Sequence, residues 1–158
     1  MNDGPDPSLA REAKGLARDV AGHARDATGE PPYPYQRLVG FEIVAWSEGY
    51  ARVEMPLREK HANRYGIPHG GVHATLLDTA CGFAGSWTGD PEAPRHCMTL
   101  SLTVNYIGVA TGERLIAEAR VVGGGRRSFF ANAELRDEHG ALVATASATM
   151  RYRGEPKG

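Results

Sequence analysis

Hydrophobic and polar residues alternate along several stretches of the chain, which is the pattern of a β-strand with one buried and one solvated face. In residues 50–56, for example, Ala51, Val53 and Met55 alternate with charged residues. Val, Ile, Phe and Tyr are frequent in these stretches, and turn residues such as Gly and Asp separate several of them. The pattern predicts strands over residues 38–46, 50–56, 99–106, 114–122, 128–136 and 142–152.

One stretch has a different pattern, because it is apolar on nearly every side at helical spacing. It runs from about residue 71 to residue 86 or 87 and is rich in Ala, Leu and Gly. A helix that is apolar on every side is a buried helix. A single antiparallel sheet curled around a single buried helix is the simplest packing of these elements, so we expect an α+β fold with about six strands.

The first 28 residues predict a further helix, which Asp6 can cap and in which Pro7 suits the first position. Its hydrophobic stripe is narrow, so we expect this helix to dock weakly on the body or to fray. Gly29 and the prolines that follow end it, and residues 31–34 are expected to form a linker or a turn.

Length and charge restrict the class of protein. The chain has 158 residues and a formal net charge of −1, with basic and acidic residues interleaved. These values favour one globular domain and argue against nucleic acid or an anionic membrane as the main partner. No apolar run approaches a membrane span, and the N-terminus lacks a signal-peptide pattern, so we expect a cytoplasmic protein. Cys81 and Cys97 are expected to be free thiols.

The candidate chemistry lies in the central helix. Asp78 is the only formally charged residue between Gly66 and Gly89, and burying a carboxylate costs several kcal/mol unless it is paired or hydrogen-bonded. Gly70 and Gly71 stand where the helix begins, and there free backbone N–H groups can hold an oxyanion. The alternatives are a structural carboxylate and a tight turn into the helix.

The distance between these two features has a consequence for assembly. Gly70 and Asp78 are eight residues apart, which is about 12 Å along a helix. One substrate carbonyl cannot comfortably contact both. If both act on one substrate, we expect a dimer with two equivalent sites, in which one subunit contributes the helix N-terminus and the other contributes Asp78.

The motif N-x2-G-x2-HGG-x2-ATL-x-D over residues 63–78 resembles the signature of PaaI-type acyl-CoA thioesterases of the hot-dog superfamily. The resemblance covers about residues 36–152 and includes the GGGRR turn and the EHGALVA segment further on. It implies a hot-dog fold, with an antiparallel sheet wrapped around one long helix. The chain then divides into an N-terminal extension and linker (1–34), a thioesterase domain (35–153) and a tail (154–158).

The resemblance also implies roles for individual residues. Asp78 is the catalytic carboxylate, acting as general base on water or as nucleophile, and Gly70 polarises the thioester carbonyl through its backbone N–H. Asn63 and His69 hold the thioester or its leaving sulfur across the subunit interface, and Thr99 orients the water. Further substrate contacts are expected from Gly71, from three arginines towards the phosphates of coenzyme A (Arg64, Arg126 and Arg127), and from Phe83 and Trp87 in the acyl pocket. Two alternatives remain: Arg126 and Arg127 also suit a solvated turn, and Phe83 also suits the core.

Other kinds of site fit less well. His69 and His73 have the spacing of metal ligands on a helix, but no Glu follows the first His and no third ligand is evident. Ser86 and Ser128 lack a nucleophile-elbow motif. A non-catalytic acyl-CoA-sensing dimer remains an alternative, because fold does not fix function.

The sequence therefore predicts hydrolysis of an aryl-, arylacetyl- or medium-chain acyl-CoA by a homodimer or a dimer of dimers. No metal and no cofactor beyond the coenzyme A of the substrate are expected. The acyl group, and the choice between base and nucleophile for Asp78, stay open.

Overall fold

The computed structural model describes residues 26–154. Of the helix predicted for residues 1–28, all but the last three residues lie outside this range, as does the predicted tail beyond residue 154. The elements in chain order are α1 (Pro34–Val39), β1 (Glu42–Ser47), β2 (Tyr50–Pro56), a 3-10 turn (Glu59–His61), α2 (Gly70–Ser86), β3 (Cys97–Tyr106), β4 (Arg114–Gly124), β5 (Ser128–Asp137) and β6 (Leu142–Tyr152).

The six strands form one antiparallel sheet in the order β1-β2-β4-β5-β6-β3. The alternation that predicted β2 matches its burial, since Ala51, Val53 and Met55 are fully buried and the charged residues between them are not. The predicted architecture of about six strands around one long helix is confirmed. β3 and β1 form the two edges of this sheet.

The start of the first predicted strand is wrong. Residues 38–41 were expected to be extended, but α1 occupies Pro34–Val39 and β1 begins only at Glu42. Pro34 suits the first position of a helix, and Gly40 ends α1 in the left-handed conformation with φ 93°. These two signals outweigh the strand propensity of Leu38 and Val39.

Helix α2 packs along the sheet, and the core lies between them. Leu76, Leu77, Ala80, Cys81 and Ala84 of α2 are fully buried. The prediction that the helix is buried on every side is wrong, because one sheet covers only one side of it. The uncovered side has small or polar residues that remain partly exposed: Thr75, Asp78, Thr79 and Gly82.

The two edges of the sheet differ. On β1, which is only six residues long, a bulge interrupts the pairing between Ile43 and Ala45, and the Ala27 N–H donates to the Ile43 carbonyl (2.8 Å). The strand β3 is ten residues long, has a register shift of its own between Thr99 and Ser101 and, within residues 26–154, pairs only with β6. Its Met98, Leu100 and Tyr106 side chains are exposed.

Candidate active site

A short turned segment leads into α2 and holds Asn63 beside the helix start. Ala62 and Pro68 form an isolated β-bridge, Asn63 N–H donates to the Ile67 carbonyl (2.8 Å), and His69 N–H donates to the His61 carbonyl (2.8 Å). The Asn63 side-chain oxygen accepts the Tyr65 N–H (2.8 Å). This bond uses the acceptor of the Asn63 amide, so its NH₂ group is the part left to donate.

His69 caps the helix with its imidazole ring. Nδ1 accepts the Gly71 N–H at 2.8 Å, and the His69 carbonyl accepts the Val72 N–H at 2.9 Å. Because Nδ1 accepts, a neutral His69 ring carries its proton on Nε2, which makes Nε2–H a hydrogen-bond donor. The Gly71 N–H, expected to face the substrate, is therefore already engaged within the chain.

Gly70 provides the free donor at this end of the helix. Within residues 26–154 its backbone N–H has no hydrogen-bond partner, while its carbonyl accepts the Tyr106 hydroxyl at 3.1 Å. A Cβ atom at this position would lie 3.2 Å from the Tyr106 ring. Gly70 thus allows close packing by Tyr106 and leaves an N–H group at the positive end of the helix dipole.

Asp78 lies on the uncovered side of α2, one turn before Gly82. The Thr99 hydroxyl, from β3, donates to the Asp78 carboxylate at 2.7 Å. Asp78 is half-buried, so the prediction of a fully buried carboxylate is wrong for the single chain, because the sheet does not cover this side of the helix. The structure does bring Thr99 and Asp78 together.

Two thiols lie near this carboxylate. Burial, with a smaller contribution from the Asp78 charge, raises the pKa of Cys81 to about 12. Burial also raises the pKa of Cys97, a hydrogen bond from Ser86 opposes that rise, and the Asp78 charge adds to it. Both thiols are free and stay protonated at neutral pH.

The structure separates Phe83 and Trp87 from Asp78. Their rings meet Trp46 edge to face, with centroid distances of 5.7 Å and 5.2 Å, respectively. Trp46 belongs to β1, whereas Asp78 contacts Thr99 of β3 at the opposite edge of the sheet. These two aromatic residues therefore do not lie beside the carboxylate, and Phe83 packs against the core.

The three candidate arginines are exposed. Arg64 lies in the turned segment next to Asn63. Arg126 and Arg127 form the β4–β5 turn, where the Arg127 carbonyl accepts the Tyr152 N–H, and Tyr152 pairs with Cys97. This turn is thus at the end of the sheet where β3 begins, the same end as Thr99.

Three tyrosines that lie around α2 were assigned no role in the site from the sequence. Tyr106 is the last residue of β3 and contacts Gly70. Tyr35 shares a hydrogen bond with the Thr75 hydroxyl at 2.8 Å, and Tyr33 lies edge to face with Phe41 at 6.1 Å. Burial raises the pKa of Tyr33, a hydrogen bond with Thr79 opposes that rise, and the charges of Asp26 and Asp78 add to it. In the sequence, the Tyr-Pro-Tyr segment at the start of α1 is the feature that could have indicated Tyr33 and Tyr35.

The structure also has a cavity of about 460 Å³ behind the turned segment. It lies between residues 57–68 and Ala110–Glu113, and neither Gly70 nor Asp78 lines it.

Among residues 26–154, no group of three His, Cys, Asp or Glu side chains is arranged to hold a metal ion. Over the same residues, no helix combines the length and hydropathy of a membrane span.

Comparison with known proteins identifies the family. Residues 65–144 match the family described as the thioesterase superfamily. A putative esterase of Archaeoglobus fulgidus is 31% identical over 117 residues, covering 73% of this chain and 72% of the relative. The medium/long-chain acyl-CoA thioesterase YigI of Escherichia coli is 28% identical over 129 residues, covering 73% and 83%, respectively.

A solved structure supports the fold. The Escherichia coli PaaI protein, from the phenylacetic acid degradation operon, superposes with a TM-score of 0.68 at 21% identity, covering 78% of this chain and 87% of that protein. The expected PaaI-like hot-dog fold is confirmed by this match and by the strand order. The chain therefore belongs to the thioesterase superfamily, its domain has the hot-dog fold, and the protein is a thioester hydrolase.

Proposed function

We propose that the protein is an acyl-CoA thioesterase with two composite active sites in a homodimer. The observation that carries this proposal is that both halves of the chemistry are anchored to one edge strand. Asp78 accepts a hydrogen bond from Thr99 near the start of β3, and Gly70 accepts one from Tyr106 at its end. The half-buried Asp78 carboxylate and the free Gly70 N–H are too far apart along α2 to act on one carbonyl.

An antiparallel pairing of two β3 strands brings these halves together. When Thr99 of one chain lies opposite Tyr106 of the other, the Asp78 of the first chain approaches the helix N-terminus of the second. The two-fold axis generates a second identical site. The exposed Met98 and Leu100 side chains and the open hydrogen-bonding groups of β3 favour this pairing, because a long apolar edge needs a cover.

The reaction then follows from the groups present. Asp78 takes a proton from water, and the water oxygen adds to the thioester carbonyl. The Gly70 N–H stabilises the negative oxygen that forms, collapse of the intermediate breaks the C–S bond, and the departing thiolate takes up the proton held by Asp78. The products are the free acid and coenzyme A thiol. Direct attack by Asp78, followed by hydrolysis of the anhydride, uses the same residues.

The donors at the helix start have complementary roles in this scheme. His69 Nε2–H and the Asn63 NH₂ group can orient the carbonyl or stabilise the departing sulfur, since both are donors whose acceptor atoms are already engaged. Thr99 holds the Asp78 carboxylate in one rotamer. Arg64, Arg126 and Arg127 are proposed to contact the phosphates of coenzyme A from the exposed turns.

The proposed substrates are aryl-, arylacetyl- and medium-chain acyl-CoA thioesters. The relatives support this range, since YigI is described as acting on medium- and long-chain acyl-CoA and PaaI belongs to the phenylacetic acid degradation operon. The aromatic rings of Tyr33 and Tyr35 border the uncovered side of α2 near Asp78 and suit an apolar acyl group.

The experiment that tests the function compares wild type with Asp78→Asn on a panel of acyl-CoA thioesters, measuring release of free thiol. Asparagine is nearly isosteric and can still accept the Thr99 hydrogen bond, so we expect unchanged thermal unfolding and a fall in kcat of about a hundredfold or more. Equal rates for both proteins would remove Asp78 from the mechanism. Binding of acyl-CoA with no thiol release by wild type would favour the sensing dimer instead.

A further inference from the structure

Tyr106 contacts the start of α2 in two ways that the mechanism above does not use. Its hydroxyl donates to the Gly70 carbonyl at 3.1 Å. Its ring packs so closely on Gly70 that a Cβ atom there would lie 3.2 Å from one ring carbon. A strand-end tyrosine thus holds the first peptide of the helix from the side of the sheet edge.

The peptide that Tyr106 contacts leads directly to His69. The Gly70 carbonyl and the Gly71 N–H belong to the same peptide group, and that N–H donates to His69 Nδ1 at 2.8 Å. A donor on the carbonyl side of an amide polarises the group and strengthens the bond that its N–H makes. The chain of bonds therefore runs from the Tyr106 hydroxyl through the Gly70–Gly71 peptide to the His69 ring.

The buried ring of His73 packs against the ring of Tyr106. Only 6% of its surface is exposed, and within residues 26–154 neither ring nitrogen has a hydrogen-bond partner. Its ring centroid is 5.9 Å from that of Tyr106, with an interplanar angle of 37°. Packing against a buried ring restricts the orientations of Tyr106 and keeps its hydroxyl directed at Gly70.

We infer that Tyr106 is a positioning residue that acts through the Gly70–Gly71 peptide to hold His69 with its proton on Nε2, directed at the thioester. The role of His69 in the reaction rests on the proposed function. The tautomer of the His69 ring, however, can be measured whether or not the protein turns over a substrate. Without the hydroxyl, the Gly71–His69 bond weakens, and the ring gains freedom in both orientation and tautomer.

The test compares Tyr106→Phe with the matched control Tyr50→Phe, which removes a tyrosine hydroxyl bond to Glu118 between β2 and β4, away from the site. For Tyr106→Phe we expect kcat to fall about five- to tenfold, while KM changes less than about twofold and thermal unfolding stays within a few degrees. The Tyr50 variant should retain wild-type kcat. Equal losses of kcat in the two variants would overturn the inference, because the loss of any tyrosine hydroxyl bond would then matter alike.

A spectroscopic readout and a double-mutant cycle complete the test. Imidazole 15N resonances of His69 should report the Nε2–H tautomer in wild type and a larger share of the Nδ1–H form in Tyr106→Phe. In a His69→Asn background, where asparagine still caps the helix, the Tyr106 substitution should change kcat less than about twofold.

The possible outcomes distinguish failure of the inference about Tyr106 from failure of the proposed function. An unchanged tautomer or a fully additive cycle would overturn the role of Tyr106. A wild-type protein that releases no thiol would overturn the proposed function while leaving the tautomer measurement valid.

Discussion

His73 is the described residue whose environment fits its chemistry least. Its imidazole is buried, and neither nitrogen is hydrogen-bonded to any residue of 26–154. Burial lowers the pKa of His73, and the nearby His69 lowers it further. The fold therefore favours the neutral ring over the protonated ring.

This environment predicts a pH-dependent stability. The folded-state pKa of His73 is below the unfolded value of about 6.5, so the unfolded state binds more protons in the window between them. The contribution of the neutral His73 ring to the free energy of unfolding is therefore fully present above about pH 6.5, and it is lost as the pH decreases towards the folded-state pKa. We expect His73→Phe, which keeps a ring against Tyr106, to show a smaller loss of Tm between pH 7.5 and 5.5 than wild type.

The control is the exposed His139, whose replacement by Gln should leave the wild-type slope unchanged. Parallel slopes for His73→Phe and wild type would show that another group is responsible. Thermal unfolding followed by circular dichroism at five or six pH values is sufficient for this comparison.

The site residues were predictable to different degrees, for physical reasons. Asp78 and Gly70 stand out in the sequence because a lone charge and paired glycines are unusual around an apolar helix. The occupation of the Gly71 N–H by His69 could not be foreseen, because it depends on a side-chain rotamer. Tyr106 was missed as a contact of Gly70 because strand alternation does not reveal which helix end a strand will meet.

At the scale of elements, two glycines of α2 differ in what surrounds them. A Cβ atom on Gly85 would lie 2.2 Å from the buried Phe129 ring of β5. On Gly82, three residues earlier, it would lie 3.5 Å from the Cys97 sulfur, which is ordinary contact. Gly85 therefore sets the close approach of the helix to the sheet, while Gly82 does not.

The two alanine substitutions should separate packing from helix propensity. Gly85→Ala forces the helix and Phe129 apart and should lower the free energy of unfolding by about 1–3 kcal/mol. Gly82→Ala meets no obstacle and should be neutral or stabilise by up to about 1 kcal/mol, because alanine favours the helix. Urea denaturation measures both. A similar loss in both variants would contradict the assignment of Gly85 as the contact point.

The strands were largely predictable because alternation reports directly on one buried face. The bounds of Tyr50–Pro56 and Leu142–Tyr152 agree with the prediction, and the others differ by a few residues. Helix α1 was not predicted, since its six residues are too few to establish a helical period. The uncovered side of α2 was also missed, because Ala, Gly and Thr suit either a buried or a half-exposed surface.

At the scale of the whole molecule, the proposed composite site predicts complementation between inactive chains. Asp78→Asn removes the carboxylate from one half-site. Gly70→Pro removes the N–H donor from the other, and proline suits the first helical position once the Tyr106 ring shifts by a few tenths of an ångström. Each variant alone should retain only about a hundredth of the activity.

Co-expression should restore activity. Random pairing makes half the dimers mixed, and one of the two sites in each mixed dimer is intact, so about a quarter of wild-type activity is expected. A site contained in one chain would gain nothing, because every chain carries a defect. Thiol release from the co-purified mixture, set against the two variants mixed without subunit exchange, decides between these outcomes.

The unequal edges of the sheet also determine how far assembly can proceed. In the proposed dimer, pairing through β3 uses the long open edge of each chain, and the outer strand that remains is β1, which is only six residues long and partly covered where Ala27 bonds to Ile43. Such an edge is a poor template for a further strand. In that dimer, growth along the hydrogen-bonding direction would end at two chains, and the arrangement that builds the proposed active sites would also protect the protein from open-ended, fibre-like polymerisation.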